Sequence, residues 1–276
     1  MALDDPIRSL ATQSRYGPRA APLDILWSDT IATILAHRSV RSYQDKPLPA
    51  RTIETLVAAA QSAASSSNLQ YWSVIAVADR TTKGKLAVLA GNQRHIDEAP
   101  LILLFAADLA RTRALGERAG APTDGLDYLD SMIVAAVDCG LAAQNAALAA
   151  ESLGLGTVYI GALRNSTIEV AEAVGLPART TILFGLVVGW PDPDRPTAVK
   201  PRLPQETVLH REHYDAAADP AAIEDYDTTI REFQQAQALP ANGWSAAVLT
   251  RSAGARALNG REALRESYER QGFLLL

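Results

Sequence analysis

Residues 126–160 read LDYLDSMIVAAVDCGLAAQNAALAAESLGLGTVYI, and this stretch decides the fold. From Leu126 to Leu153 the spacing predicts one long helix, apolar nearly all round. Ile133, Val137, Gly140, Gln144 and Ala147 form one ridge of mostly small side chains along it. A helix without a polar face has to be covered on every side. It is therefore expected at the centre of the fold, long and buried, against its own sheet and beside a second subunit. Asp138, Gln144 and Asn145, with the abundance of alanine, set it apart from a membrane span. Gly154-Leu155-Gly156 then reads as a helix-to-strand turn, because a dinucleotide fingerprint needs the strand before the helix. Gly156 to Ile160 is the strand that follows.

Outward from there, short helices alternate with apolar strands. Trp72–Ala78, Leu101–Ala106 and Thr181–Val188 are predicted as strands, the last a continuous apolar run typical of a strand covered on both faces. Helices are expected from Asp29, taken as the cap, to His37, and from Pro49 through Ala60 to the serines at 65–67. Others are expected from Thr81 or Thr82 to Ala90, over 108–118, and from Asn165 or Ser166 to Gly175. Residues 1–27, with Pro6, Pro18 and Pro22, are expected to be an N-terminal arm lying on the body or on a partner. Residues 28–276 are expected to form a single α+β domain with a helical extension from about residue 215. Its tail, Phe273-Leu274-Leu275-Leu276, is apolar enough to dock.

The 276 residues are 48% hydrophobic, ample for a buried core. A net charge of −5 and a pI of about 5.4 exclude a general nucleic-acid footprint, so the positive charges that matter are local. The single cysteine, Cys139, rules out an intrachain disulfide and fits a reducing, cytoplasmic compartment. In its alanine-rich surroundings it reads as a small buried hydrophobe. Neither a signal peptide nor a membrane span is expected. His210-Arg211-Glu212-His213 lacks companion ligands at known spacing, so no metal site is expected there.

The local charges sit in His37-Arg38-Ser39-Val40-Arg41 and in Lys200-Pro201-Arg202-Leu203-Pro204. A guanidinium fork matches phosphate oxygens and stays charged at any working pH. The prolines stiffen the second segment and pre-organise its two cations. Alone, the first cluster reads as a helix end, where cations suit the macrodipole, and the second as an exposed turn. Three further stretches change this. AHRSVRSY (36–43), SSSNLQ (65–70), AAQNAALAAESLGLGTVYIGALRN (142–165), LFGLVVGWP (183–191) and KPRLP (200–204), in that order, resemble the flavin-dependent nitroreductase family. The likeness is to its larger, NADPH-linked branch of nitroreductases and flavin reductases.

The resemblance implies a helix-covered mixed central sheet, a homodimer and one FMN per subunit. It implies two-electron, ping-pong transfer from NADPH or NADH to a small acceptor such as a nitroaromatic or a quinone. A flavin reductase, or a non-catalytic nucleotide-binding protein of the same fold, stands as the alternative. The cofactor does the chemistry, so no catalytic side chain is expected. By the resemblance His37, Arg38, Lys200 and Arg202 anchor the phosphate, and Arg41 faces the N1 and O2 edge of the ring and lifts its potential. Ser39, Ser65, Ser66 and Ser67 donate to ribityl, phosphate or ring. Gln93 contacts the ring, and Tyr159, Ile160 and Gly161 pass beside it, with Ala162 where the family often has glycine. Members of this branch commonly favour NADPH through C-terminal arginines. Here residues 232–250 hold no Arg or Lys and are only bracketed by Arg231 and Arg251. Strict NADPH preference is therefore expected to be lost, with Arg15 or Arg19 of the arm as the other possible partners of a 2′-phosphate.

Overall fold

The computed structural model describes residues 6–19, 23–215 and 220–276, so the expected arm is described except for residues 1–5 and 20–22. The chain groups into two compact units, residues 1–38 with 197–257, and 39–196 with 258–276. The arm and the helical extension as far as residue 257 share a unit, residues 258–276 of the extension belong to the other, and the single domain expected from residue 28 onward is described in two parts.

The larger unit holds a four-stranded sheet, β1 (Trp72–Val77), β2 (Leu101–Asp108), β3 (Gly156–Ile160) and β4 (Thr180–Gly189), in the order β1-β2-β4-β3. All three pairings are antiparallel. The mixed sheet expected is corrected by this: among the described residues parallel pairing is confined to the isolated bridge Ser39–Thr157. Continuous apolar runs report that both faces of a strand are covered; that cover is usual for parallel strands, and here it is met in an antiparallel sheet.

β2 shows how the two faces are used. Leu101, Leu103, Phe105 and Ala107 pack with Ala135, Cys139, Ala142 and Ala146 of the core helix, Leu129–Ser152. Ile102, Leu104 and Ala106 pack with Leu86, Ile96, Leu163 and Val170 on the opposite side. The alternation is the period-2 geometry of a strand. The alanines of the core helix let its axis approach the sheet closely. Its other face is bare: Ile133 is 52% and Val137 54% exposed, and Gly140, Leu141 and Gln144 line up with them. Within one chain the helix is therefore covered on one side, not on all, and Ala147 belongs to the buried side.

Several boundaries shift for local reasons. The helix Asp29–Leu35 is capped by Ser28, whose extended backbone lets its hydroxyl accept from Ile31 N at 3.3 Å, so Asp29 is the first-turn acid instead of the cap. The next helix is Thr52–Gln61, three residues after Pro49, and the serines at 65–67 belong to a separate tight turn. Ser166 and Gly175 flank the helix Thr167–Val174 as expected. The apolar tail docks on its own unit. Phe273 is buried, Leu276 N donates to Asp127 O at 2.9 Å, and Leu276 O accepts from Leu129 N at 3.1 Å. That last bond fills one of the unpaired donors at the start of the core helix.

The smaller unit holds the arm helix Pro6–Tyr16, the helix Asp29–Leu35 and the helices Pro220–Ala236 and Trp244–Ser252, with polar links among them. The Asp227 carboxylate accepts from Trp244 N at 2.6 Å and Ser245 N at 2.8 Å, capping the last of these helices. Arg19 pairs with Glu232 through two bonds of 2.6 and 2.8 Å.

Phe105, fully buried, stacks between Trp72 at 6.1 Å and Phe184 at 5.7 Å. Phe105→Ala should lower the unfolding free energy by about 3–5 kcal/mol, read as a lower urea midpoint at unchanged slope. Leu274→Ala, at a half-exposed position of the tail, should change it by about 0.5 kcal/mol or less.

Candidate cofactor site

The stretch 39–43 is laid against β3 by its apolar members. Val40, 4% exposed, donates its N–H to Thr157 O at 2.9 Å. It fits because residue 156 is glycine: a Cβ there would fall 2.7 Å from Val40 Cγ2. The Tyr43 hydroxyl donates to Val40 O at 2.7 Å, and its ring occupies the space that Gly189 leaves. With Val40 turned inward, the neighbouring Arg41 is exposed and Ser39 half-exposed. Burial first, and then the Arg41 charge, hold the His95 imidazole below its ordinary pKa. His95 Nε2 is buried without a hydrogen-bond partner, so a neutral imidazole stands within the field of Arg41.

The serine turn is built on a carboxylate from the core helix. Asp138, 1% exposed, accepts from Ser65 Oγ at 2.7 Å, Ser66 N at 3.3 Å and Tyr71 N at 3.2 Å. Ser65 Oγ accepts in turn from Gln70 N at 2.8 Å. These bonds hold Ser67, Asn68 and Gln70 at φ of 49°, 54° and 51°. Left-handed backbone at non-glycine residues costs about 1–2 kcal/mol each, so the turn needs such an anchor. The three serines therefore divide. The Ser65 proton goes to Asp138, while Ser66 and Ser67 are exposed. The sequence reading missed Asp138; its signal was a lone carboxylate on the alanine face of an apolar helix.

The remaining ring-side candidates are placed less evenly. Gln93 immediately precedes the short helix Arg94–Glu98 without a side-chain capping bond, and its amide nitrogen donates to Ala90 O at 2.8 Å. Tyr159 is half-buried, edge-on to Phe184 at 5.5 Å, and burial pushes its phenol above the usual range. The Ile160 side chain belongs to the core, so outward it has only backbone to offer. Gly161 is half-exposed and opens the turn Gly161–Ser166; a Cβ on it would lie 3.3 Å from Arg164 Nη2. Arg164, bonded to the Leu183 carbonyl, is a second residue the sequence reading missed.

The four remaining cations all lie in the smaller unit, and one side chain gathers their segments. Arg15, from the arm helix, is buried and donates to Lys200 O at 2.9 Å, Leu35 O at 2.8 Å and His37 O at 2.6 Å. Arg202 N donates back to Arg15 O at 2.8 Å. Pro201 and Pro204 are buried while Lys200 and Arg202 are exposed, so the prolines dock and the cations project. Tyr226 fixes the segment further through Pro201 O at 3.1 Å. Arg38 reaches Ala36 O at 3.4 Å, the helix-end contact that was its simplest reading. Among the described residues no group of three His, Cys, Asp or Glu is placed to hold a metal, and the His210 ring lies tilted against Tyr214, centroids 4.3 Å apart.

The nitroreductase family matches residues 34–190, and its C-terminal domain matches residues 200–276. An FMN reductase (NADPH) of Bacillus subtilis is 41% identical over 209 residues, 75% of this chain and 83% of that one. A second B. subtilis protein, an FMN reductase [NAD(P)H], is 43% identical over 208 residues, 75% of this chain and 83% of its own. The solved structure of NfrA2 from B. megaterium superposes with a TM-score of 0.83 at 40% identity, covering 90% of this chain and 98% of that one. The chain belongs to the nitroreductase family. Residues before 34, with the arm helix and Arg15, lie outside both family matches.

Asp138→Ala would strand Ser66 N and Tyr71 N and release the turn. The expected loss is about 2–3 kcal/mol of stability, with Asp138→Asn recovering part of it, measured by thermal unfolding of the three proteins.

Proposed function

We propose that the protein is an FMN-dependent NAD(P)H oxidoreductase that reduces small acceptors such as nitroaromatics, quinones or free flavin. The observation that carries the reading is the gathering of His37, Arg38, Lys200 and Arg202 about Arg15. Its relatives bear the names FMN reductase (NADPH) and FMN reductase [NAD(P)H]. Bound FMN supplies hydride acceptance and donation, so the chain needs to bind, orient and tune.

The donor set suits that group. His37, Arg38, Lys200 and Arg202 serve the phosphate, each charge-assisted bond worth about 1.5–3 kcal/mol. Arg41 supplies a fixed charge, and His95, held neutral, adds no second one beside it. Ser39, Ser66 and Ser67 offer hydroxyls, Gln93 its amide oxygen, and Tyr159 to Gly161 their backbone. Ser65 contributes by holding the turn. The arginines considered for a 2′-phosphate are otherwise engaged: Arg19 with Glu232, Arg231 with Thr228 Oγ1 at 3.1 Å, and Arg251 with the Ala257 carbonyl. NADH is therefore used at least comparably with NADPH. The buried lone thiol supports a cytoplasmic setting.

The purified protein should be yellow and lose its flavin absorbance anaerobically with either NADH or NADPH; a colourless protein that binds no FMN overturns the reading. Arg202→Ala should raise the FMN dissociation constant about 10–100-fold, the loss of one charged contact, and unchanged affinity would remove Arg202 from the site.

The bare stripe Ile133, Val137, Gly140, Leu141 and Gln144 supports a homodimer through the core helix. Val137→Glu should shift the sedimentation coefficient to that of a monomer and weaken FMN retention. A dimer that persists in this variant places the interface elsewhere.

A further inference from the structure

Arg15 lies outside the residues covered by the two family matches, yet it makes the contacts on which the cation cluster depends. Its planar fork carries donors at fixed angles, and three carbonyls take them up. Leu35 O and His37 O lie at the C-terminal end of the helix Asp29–Leu35, where carbonyls lack intrahelical partners and the dipole favours a cation. Nη2 bridges these two, at 2.8 and 2.6 Å, while Nη1 holds Lys200 O at 2.9 Å. One rigid group thus sets the separation between the His37–Arg38 segment and the Lys200–Arg202 segment. The Arg15 carbonyl completes the link by accepting from Arg202 N at 2.8 Å.

The arm helix is itself fixed where it ends. Gly17, at φ +84°, turns the chain with no room for a Cβ beside Thr229 of the helix Pro220–Ala236, and Arg19 pairs with Glu232 of that helix. A lysine at 15 would keep the charge but, as a point donor, would not hold three carbonyls at set angles.

We propose that Arg15 is the positioning residue of the FMN phosphate clamp, and that the N-terminal helix is thereby part of the cofactor site. The proposal rests on the FMN reading above. A helix that only stabilised the protein would leave the preference for phosphorylated over unphosphorylated flavin untouched, whereas a helix that spaces the clamp sets that preference.

The test compares FMN and riboflavin, which differ in the phosphate alone, by fluorescence titration of apoprotein. For Arg15→Lys and Arg15→Gln the expected result is a 10–100-fold rise in the FMN dissociation constant, as for loss of a charged contact, with riboflavin changed less than about twofold. An FMN preference kept at the wild-type ratio in both variants overturns the role of Arg15. Wild-type protein that binds neither flavin sinks the functional reading and this proposal with it. Should the variants fail to fold, amide exchange of the wild-type protein decides. FMN, and not riboflavin, should slow exchange across residues 6–17 together with 200–204. Slowing at 200–204 without 6–17 overturns the proposal.

Discussion

Two neighbouring strands with no polar face must be roofed twice, and the larger unit follows from meeting that demand. β2 and β4 are buried on both sides, so one layer is the core helix and the other is assembled from Leu86, Ile96, Leu163 and Val170 on shorter elements. Apolar burial of this kind contributes about 25 cal/mol per Å² and is indifferent to direction, so it fixes which faces meet without fixing how loops lie. Loops over such a core need another source of order.

Buried charge provides it. A carboxylate or guanidinium withdrawn from water has to have its hydrogen-bonding capacity filled by protein. Asp138 fills its own with Ser65, Ser66 and Tyr71, and a turn with three left-handed residues results. Arg15 does the reverse, a donor answered by carbonyls of two segments. Each converts a requirement for satisfaction into a fixed geometry, one beside the serines and one behind the cations. Neither residue projects toward solvent, and both act through what they hold in place.

The parts of the fold read correctly from sequence are those whose signal is local. The apolar runs of β2 and β4, the turn at Gly154 and the closing Gly175 each follow from residues a few positions apart. These were readable because short patterns carried them. Strand direction was not, since apolar continuity is the same for either sense. The bare face of the core helix was hidden for a related reason: hydrophobicity says that a surface wants cover, not that the same chain provides it. The anchoring roles of Arg15 and Asp138 escaped because partners of theirs stand 185 and 72 positions away, at Lys200 and Ser66, and no spacing rule spans that. Ser65 was placed among the ligand donors when its proton is already committed, which only the identity of its neighbour reveals.

Cys139 lies on the sheet-facing side of the core helix, fully buried. Burial, with Asp138 adding to it, pushes its thiol well above the usual range, so in the native state it is both shielded and protonated. Alkylation of this one sulfur therefore requires the helix to leave the sheet. A brief pulse of a thiol reagent counts, molecule by molecule, how often the core of this protein comes apart, with no engineered probe and no competing site.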